Sequence, residues 1–283
     1  MYLPDIPDAD LADMLGDDAG LGDLTTHLLG IGDIPGKMTF DARDPMVVAC
    51  CEEAERILRM AGCVVERVAK SGQSLAPGAP VLVARGPAGA LHRGWKVAQT
   101  LVEIASGMAT CARGIVDAAR SVRPDVAVVC TRKNVPGAKA MSIKAIMAGG
   151  ATAHRLGLSE TILVFDAHRK FREPVAAVEL SGRLRAGAPE KKIMVEIESL
   201  EEGLMWAAAR VDILQADKMT PASLGALTEA LRERGLSPLV SAAGGVNAAN
   251  AADYVRAGAA ILVTSAPYTA KPLDIQVRMA RMG

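Results

Sequence analysis

Several charged and polar clusters in this chain stand directly after short apolar runs. Thr131-Arg132-Lys133 follows VAVVC, Asp166-Ala167-His168 follows TILVF, and Asp217-Lys218 closes DILQAD. Glu196 and Glu198 interrupt KIMVEIE, Ala243-Gly244-Gly245 ends PLVSAA, and Thr264-Ser265 ends AILVTS. His154-Arg155 lies shortly after Gly149-Gly150. Arg132, Lys133, His154 and Arg155 form a cationic set suited to phosphate or carboxylate, Arg as a bidentate fork and Lys as a compact charge. Glu196 and Asp217 suit a shared Mg²⁺, which takes one or two carboxylates plus substrate oxygens. Gly244 and Gly245, ahead of a helix starting at Asn247, let backbone N–H groups approach a phosphate at a helix N-terminus. Cations, paired carboxylates and a glycine turn together point to a phosphorylated sugar with magnesium.

Each cluster also has a plainer reading. Arg132 and Lys133 taken alone are solvated loop charges, and a Gly-Gly pair alone is a turn. His154 either touches the ligand or is satisfied within its loop; His168 caps or orients its neighbours. A charge inside an apolar strand is costly unless paired, so Glu196 is either functional or half of a buried ion pair. Glu198 has the same parity but lies nearer the following helix, which favours a loop role.

The elements that position these residues follow a rhythm. Strand candidates at 125–131, 161–166, 192–198, 212–217, 238–243 and 260–266 alternate with helix candidates at 139–149, 173–186, 200–210, 221–234 and 248–257. Start signals are Glu173-Pro174, Thr220-Pro221 and Asn247 as an N-cap. Continuous apolar strands alternating with helices mean βα units and a parallel sheet. Six units without a dinucleotide fingerprint favour a barrel, and barrel chemistry sits at the C-terminal strand ends, where all the clusters above fall. The first hundred residues lack that rhythm: strands at 37–43, 46–51, 63–70 and 80–85 and a helix at 51–62 read as a separate α+β domain. A helical pattern from Leu91 to Ser121 bridges the two.

Composition narrows the function. Half of the 283 residues are apolar, Lys plus Arg and Asp plus Glu number 32 each, and aromatics make up 3%. A neutral chain poor in aromatics has neither the basic surface nor the stacking platforms of a nucleic-acid binder. No apolar run reaches the ~20 residues that span a bilayer, and no leader-like segment opens the sequence, so the expectation is a soluble cytoplasmic protein. Five cysteines without a CxxC pair suit a reducing compartment.

The motifs GDLTT (22–26), SGMAT (106–110), TRKNVPG (131–137), GGATAHRLGLSE (149–160), VEIES (195–199), DILQADKM (212–219), AAGGV (242–246) and KPLDIQV (271–277) resemble quinolinate phosphoribosyltransferase in order over nearly the whole chain. The resemblance implies an incomplete six-stranded, TIM-like βα-barrel (109–269) beside an N-terminal α/β sandwich domain (1–108) closed by the tail 270–283. It implies a homodimer or higher homo-oligomer whose active sites are shared between subunits. Arg132, His154 and Arg155 would hold the carboxylates of an aromatic acceptor, and Lys133 would lie between acceptor and phosphoribosyl pyrophosphate. Glu196 and Asp217 would hold ribose and Mg²⁺, Gly244 and Gly245 phosphate, with Thr264 and Ser265 at the last strand end.

The departures cluster in the acceptor region. LVFDAH replaces the family's LIKDNH, so Phe165 stands where a substrate-contacting Lys is expected, removing a charge-assisted contact of roughly 1.5–3 kcal/mol. Trp95-Lys96 replaces the pair that donates an intersubunit Arg; Lys96 and Lys218 restore charge from other directions. The segments WKVAQTLVE, ILVFDAH, LQADKM and ILVTSAPYTAKP resemble the ModD subgroup, encoded with molybdate-transport genes. Three functions follow: a pyrophosphorylase of that subgroup with a changed acceptor, linked to molybdenum utilisation; an authentic quinolinate phosphoribosyltransferase serving NAD synthesis; or a non-catalytic oxyanion binder.

Overall fold

The computed structural model describes residues 3–171 and 175–283. It divides into two compact units, Met1–Arg113 with Asn134–Gly150 and Pro267–Gly283, and Gly114–Lys133 with Ala151–Ala266.

The first unit contains β1 (Pro35–Ala42), β2 (Met46–Val47), β3 (Val64–Arg67), β4 (Ser74–Leu75) and β5 (Pro80–Pro87). The last strand of the chain, Ile275–Arg281, lies antiparallel beside β1, giving the order Ile275–Arg281, β1, β5, β3; β2 and β4 pair separately. Along β1, Met38, Phe40 and Ala42 are buried and their neighbours less so, as the period of two of a half-covered sheet requires. Helix Cys51–Met60 covers the layer with Ala54, Ile57 and Leu58. The expected strand 46–51 is shorter because Cys50 takes a left-handed φ of 59° and turns the chain into that helix. Lys144, on helix Lys139–Ala148, buries its ammonium 2.7 Å from Glu53, itself fully buried, and 3.4 Å from Glu52. Burial disfavours that ammonium, but the two carboxylates outweigh it and raise its pKa. None of the five cysteines forms a disulfide; burial pushes Cys63 up to about 11, so it is an inert core thiol.

The second unit is a curled parallel sheet: β6 (Ala127–Cys130), β7 (Thr152–Ala153), β8 (Ile162–Val164), β9 (Ile193–Ile197), β10 (Ile213–Asp217), β11 (Leu239–Ala243) and β12 (Ile261–Thr264). Its order is β7-β6-β12-β11-β10-β9-β8, so β7 and β8 are free edges and the barrel is incomplete. The six expected strands are all present; the seventh, β7, is a two-residue pairing that sequence periodicity cannot register. Val129, Ala243 and Val263, flanked by Ala127 and Ile261, fill the inside of the sheet.

Thr220 caps its helix by accepting from the N–H of Ser223, with Pro221 at the first helical position. Asn247 is not the cap expected of it. Its side chain accepts from the N–H of Ala249, its own N–H donates to Asn250 Oδ1, and the helix starts only at Ala251. The Glu173-Pro174 signal lies outside the described residues; helix Ala177–Gly187 follows it. The long helix runs Ala88–Arg120. Among the described residues, no helix is long and apolar enough to cross a membrane.

Candidate active site

Strand parity decides what the second unit presents above its apolar filling. Thr131 and Ser265 continue the inward positions of Val129 and Val263, and Phe165, Glu196, Gln215 and Asp217 have inward parity on their own strands. They line one cavity of about 350 Å³. Its walls also hold Arg132, Lys133, His154, Arg155, Lys218, Gly244, Gly245 and Thr264, so twelve of the thirteen candidate residues converge there. Lys96 does not: it lies in the first unit on helix Ala88–Arg120, its ammonium 2.9 Å from Gln99 Oε1 and 4.5 Å from the centroid of Trp95.

The cationic flank is built by β7. Its pairing with β6, and the hydrogen bond from the N–H of His154 to the carbonyl of Cys130 (2.8 Å), bring His154 and Arg155 beside Arg132. Arg155 is only 7% exposed, yet pairs with no carboxylate among the described residues. Burial and the charge of Arg132 lower its pKa, but a guanidinium remains protonated. A buried cation without a counter-ion is costly and suits an anionic ligand. Burial and then Arg155 also lower the pKa of His154, keeping its imidazole neutral near pH 7, with Gln215 and Glu160 opposing. Its Nε2 is buried and unpartnered among the described residues. The backbone N–H of Lys133 donates to Thr131 Oγ1 (3.2 Å).

The acidic flank lies on neighbouring strands. Glu196 is level with Gln215 in the β9–β10 register, and Asp217 follows two residues on. Burial, then the charge of Asp217, raises the pKa of Glu196; Gln215 Nε2 donates to Glu196 Oε2 (3.1 Å) and partly offsets this. No cluster of three His, Cys, Asp or Glu that could hold a metal occurs among the described residues. Two mutually repelling carboxylates on one cavity wall fit a Mg²⁺ ion that completes its shell with substrate oxygens and water, not an all-protein cage. Gln215, 5% exposed, is a site residue that motif reasoning missed. Its signal was present: a lone carboxamide inside the apolar run DILQAD.

Three left-handed residues close the rim: Lys218 (φ 56°), Gly244 (85°) and Gly245 (89°). The N–H of Lys218 donates to the carbonyl of Ala243 (2.8 Å). A Cβ on Gly244 would lie 2.8 Å from Lys218 N and 3.0 Å from Asp217 Oδ1, so only glycine fits. The Lys218 ammonium lies 3.7 Å from Asp217. Because the next helix starts at Ala251 and is six residues long, phosphate at this turn would meet the turn's own N–H groups, not the helix end expected from Asn247. Thr264 is committed internally, its hydroxyl donating to the carbonyl of Val246 (2.7 Å) and accepting from the N–H of Ala266.

Phe165 stacks on His168, with ring centroids 5.4 Å apart, and the Arg155 guanidinium lies 5.7 Å from its centroid. His168 Nδ1 accepts from the N–H of Phe165 (2.9 Å), the capping role left open by the sequence. Glu198 is exposed, outside the cavity lining.

Residues 108–278 match the quinolinate phosphoribosyl transferase C-terminal domain and residues 23–106 its N-terminal domain. The chain is 45% identical over 257 residues to ModD of Rhodobacter capsulatus, a pyrophosphorylase by its name, covering 89% of this chain and 97% of that protein. It is 36% identical to ModD of Pasteurella multocida, covering 95% and 96%. NadC from Streptococcus pyogenes has the same fold, with a TM-score of 0.88 at 23% identity over 99% of each chain. The chain belongs to the quinolinate phosphoribosyltransferase family.

Proposed function

We propose that this protein is a ModD-type pyrophosphorylase that transfers a phosphoribosyl group from phosphoribosyl pyrophosphate to an aromatic nitrogen of an anionic acceptor. The observation that carries this reading is the division of charge in one cavity. Arg155, buried and without a counter-ion among the described residues, stands with Arg132 on one side, and Glu196 and Asp217 stand on the other.

The acceptor's carboxylate lies between Arg132 and Arg155, its ring against Phe165. Lys133 lies between acceptor and sugar phosphate, and the turn at Gly244 and Gly245 receives phosphate. Glu196 and Asp217 hold the ribose and Mg²⁺. When bound, the ion supplies positive charge to the departing pyrophosphate. The ring nitrogen's lone pair forms the bond to ribosyl C1 as the bond from C1 to pyrophosphate oxygen breaks; the pyrophosphate keeps that electron pair. The nitrogen becomes quaternary and no proton has to move. Positive charge develops on the ribosyl ring in transit, and the Glu196 carboxylate faces it. Such a step needs positioned charge more than a nucleophile.

The similarity to ModD supports a role in molybdenum utilisation. Family membership supports a homo-oligomer with a shared site to which Lys96 contributes. Phe165 disfavours quinolinate as acceptor, and retained Glu196 and Asp217 disfavour a passive oxyanion binder, which gains nothing from carboxylates.

The test is pyrophosphate release from phosphoribosyl pyrophosphate with Mg²⁺ over a panel of aromatic nitrogen acceptors. Turnover that stops with a chelator and returns with Mg²⁺ is expected. No release with any acceptor would refute the reading.

A further inference from the structure

A second cavity adjoins the first. Its volume is about 670 Å³, and it shares Arg132, Arg155, Leu163 and Phe165 with the candidate site. Beyond that common wall it is lined chiefly by aliphatic side chains. Ile162 and Val164 come from β8, the open edge of the barrel, and Leu180 and Leu184 sit one turn apart on helix Ala177–Gly187. Its charged lining residue Arg169 is already engaged, with Glu202 at 3.1 Å, Asp166 at 3.7 Å and the ring of Trp206 at 5.9 Å. His168 has one nitrogen committed to the backbone of Phe165.

The polarity of the two spaces is therefore graded. At their junction stand two guanidinium groups and a phenyl ring, which match one anionic group and one aromatic face. Past the junction the cation Arg169 is held by Glu202 and Asp166, and the other polar groups among the described lining residues are the Thr161 hydroxyl and the second ring nitrogen of His168, whereas Leu180, Leu184, Ile162 and Val164 offer apolar contact. The first cavity alone lies near the lower end of the roughly 300–1,000 Å³ typical of single-ligand sites, and a transfer reaction must house two substrates.

We propose, resting on the phosphoribosyl-transfer reading, that the acceptor spans both cavities. It is an aromatic nitrogen heterocycle with a single anionic group and an apolar extension, not a compact pyridine dicarboxylate. Phe165 is the specificity-determining residue at the junction, and Leu180 and Leu184 bound the extension.

Three probes test this. Pyridine-2,3-dicarboxylate is compact with two charges, and pyridine-3-carboxylate is compact with one. Isoquinoline-4-carboxylate keeps the nitrogen and carboxylate in the same meta relation and adds a fused apolar ring. Each is measured by calorimetric binding and by pyrophosphate release, with the wild type, Leu184→Trp and Phe165→Lys. The wild type is expected to favour the isoquinoline over the dicarboxylate by at least tenfold, in Kd and in kcat/KM. Leu184→Trp should lose at least tenfold toward the isoquinoline while leaving pyridine-3-carboxylate unchanged, and Phe165→Lys should move preference toward the dicarboxylate. A wild type that prefers the dicarboxylate, or a Leu184→Trp variant that affects compact and extended probes alike, overturns the proposal, as does binding of none of the three. If the isoquinoline binds preferentially but nothing turns over, the transfer reading fails and the acceptor site stands.

Discussion

Gly244 and Gly245 offer a controlled pair of substitutions at the rim of the site. Both have positive φ, 85° and 89°, so alanine at either carries the left-handed penalty of about 1–2 kcal/mol. They differ in what the new methyl meets. At Gly245 nothing lies within 4 Å. At Gly244 the methyl would lie 2.7 Å from Lys218 Cγ, 2.8 Å from Lys218 N and 3.0 Å from Asp217 Oδ1. The Lys218 side chain is exposed and can swing away, but its backbone nitrogen is held by the 2.8 Å hydrogen bond to Ala243. Overpacking of this kind costs roughly 1–3 kcal/mol, so Gly244→Ala should be less stable than Gly245→Ala by about that amount. If the chain relieves the clash, the movable group is the Asp217 carboxylate, and a shift near 1 Å in a positioning group costs on the order of 100-fold in rate. Urea unfolding with a common m-value gives the first quantity and kcat/KM for pyrophosphate release the second. Two variants equal in both stability and kcat/KM would refute the claim that the contacts with Lys218 and Asp217 leave room only for glycine at Gly244.

Arg155→Met keeps the aliphatic stem and removes a buried, unpaired charge. Ligand-free stability should hold or rise while anionic-acceptor affinity falls at least 100-fold, read by thermal melts and calorimetry. Glu196 has a folded pKa raised above its unfolded value, so its favourable contribution is complete below about 4.5 and is lost as pH rises through the raised value. Glu196→Gln should therefore unfold later than the wild type at neutral pH, converge with it below about 4.5, and be inactive throughout, which denaturation at several pH values would check. Gln215→Leu removes the donor that lowers the pKa of Glu196, so the acidic limb of the kcat/KM profile should move to higher pH.

The strand ends were legible because polar residues stop apolar runs abruptly, and the parallel arrangement followed from runs such as TILVF and DILQA, buried on both faces. Convergence of Arg132, Arg155, Glu196 and Asp217 needed only the rule that barrel sites gather at one end of the sheet. What escaped depends on interactions between distant segments. The pairing β7 makes with β6 is two residues long. Gln215 declares its role only when Glu196 is seen to be its partner across the register. Thr264 resembles a substrate ligand until Val246 is found to take its hydroxyl. The helix starts at Ala251, past Asn247, because both asparagine side chains are spent on the turn before it, Asn247 Oδ1 accepting from the N–H of Ala249 and Asn250 Oδ1 from the N–H of Asn247.

The two compact units are not two lengths of chain. The polypeptide passes from one to the other at 113/114, 133/134, 150/151 and 266/267, so each unit is assembled from separated stretches. No single recombination breakpoint can therefore separate one unit from the other: a truncation at 133/134 or 150/151 leaves both incomplete, and one at 113/114 or 266/267 breaks the first. The short loan of Asn134–Gly150 is the sharpest case: the stretch that begins one residue after Lys133 carries Lys144, the ammonium buried against Glu53. Moving the second unit alone between homologous genes therefore needs breakpoints at all four passages, and the architecture resists the shuffling of whole modules.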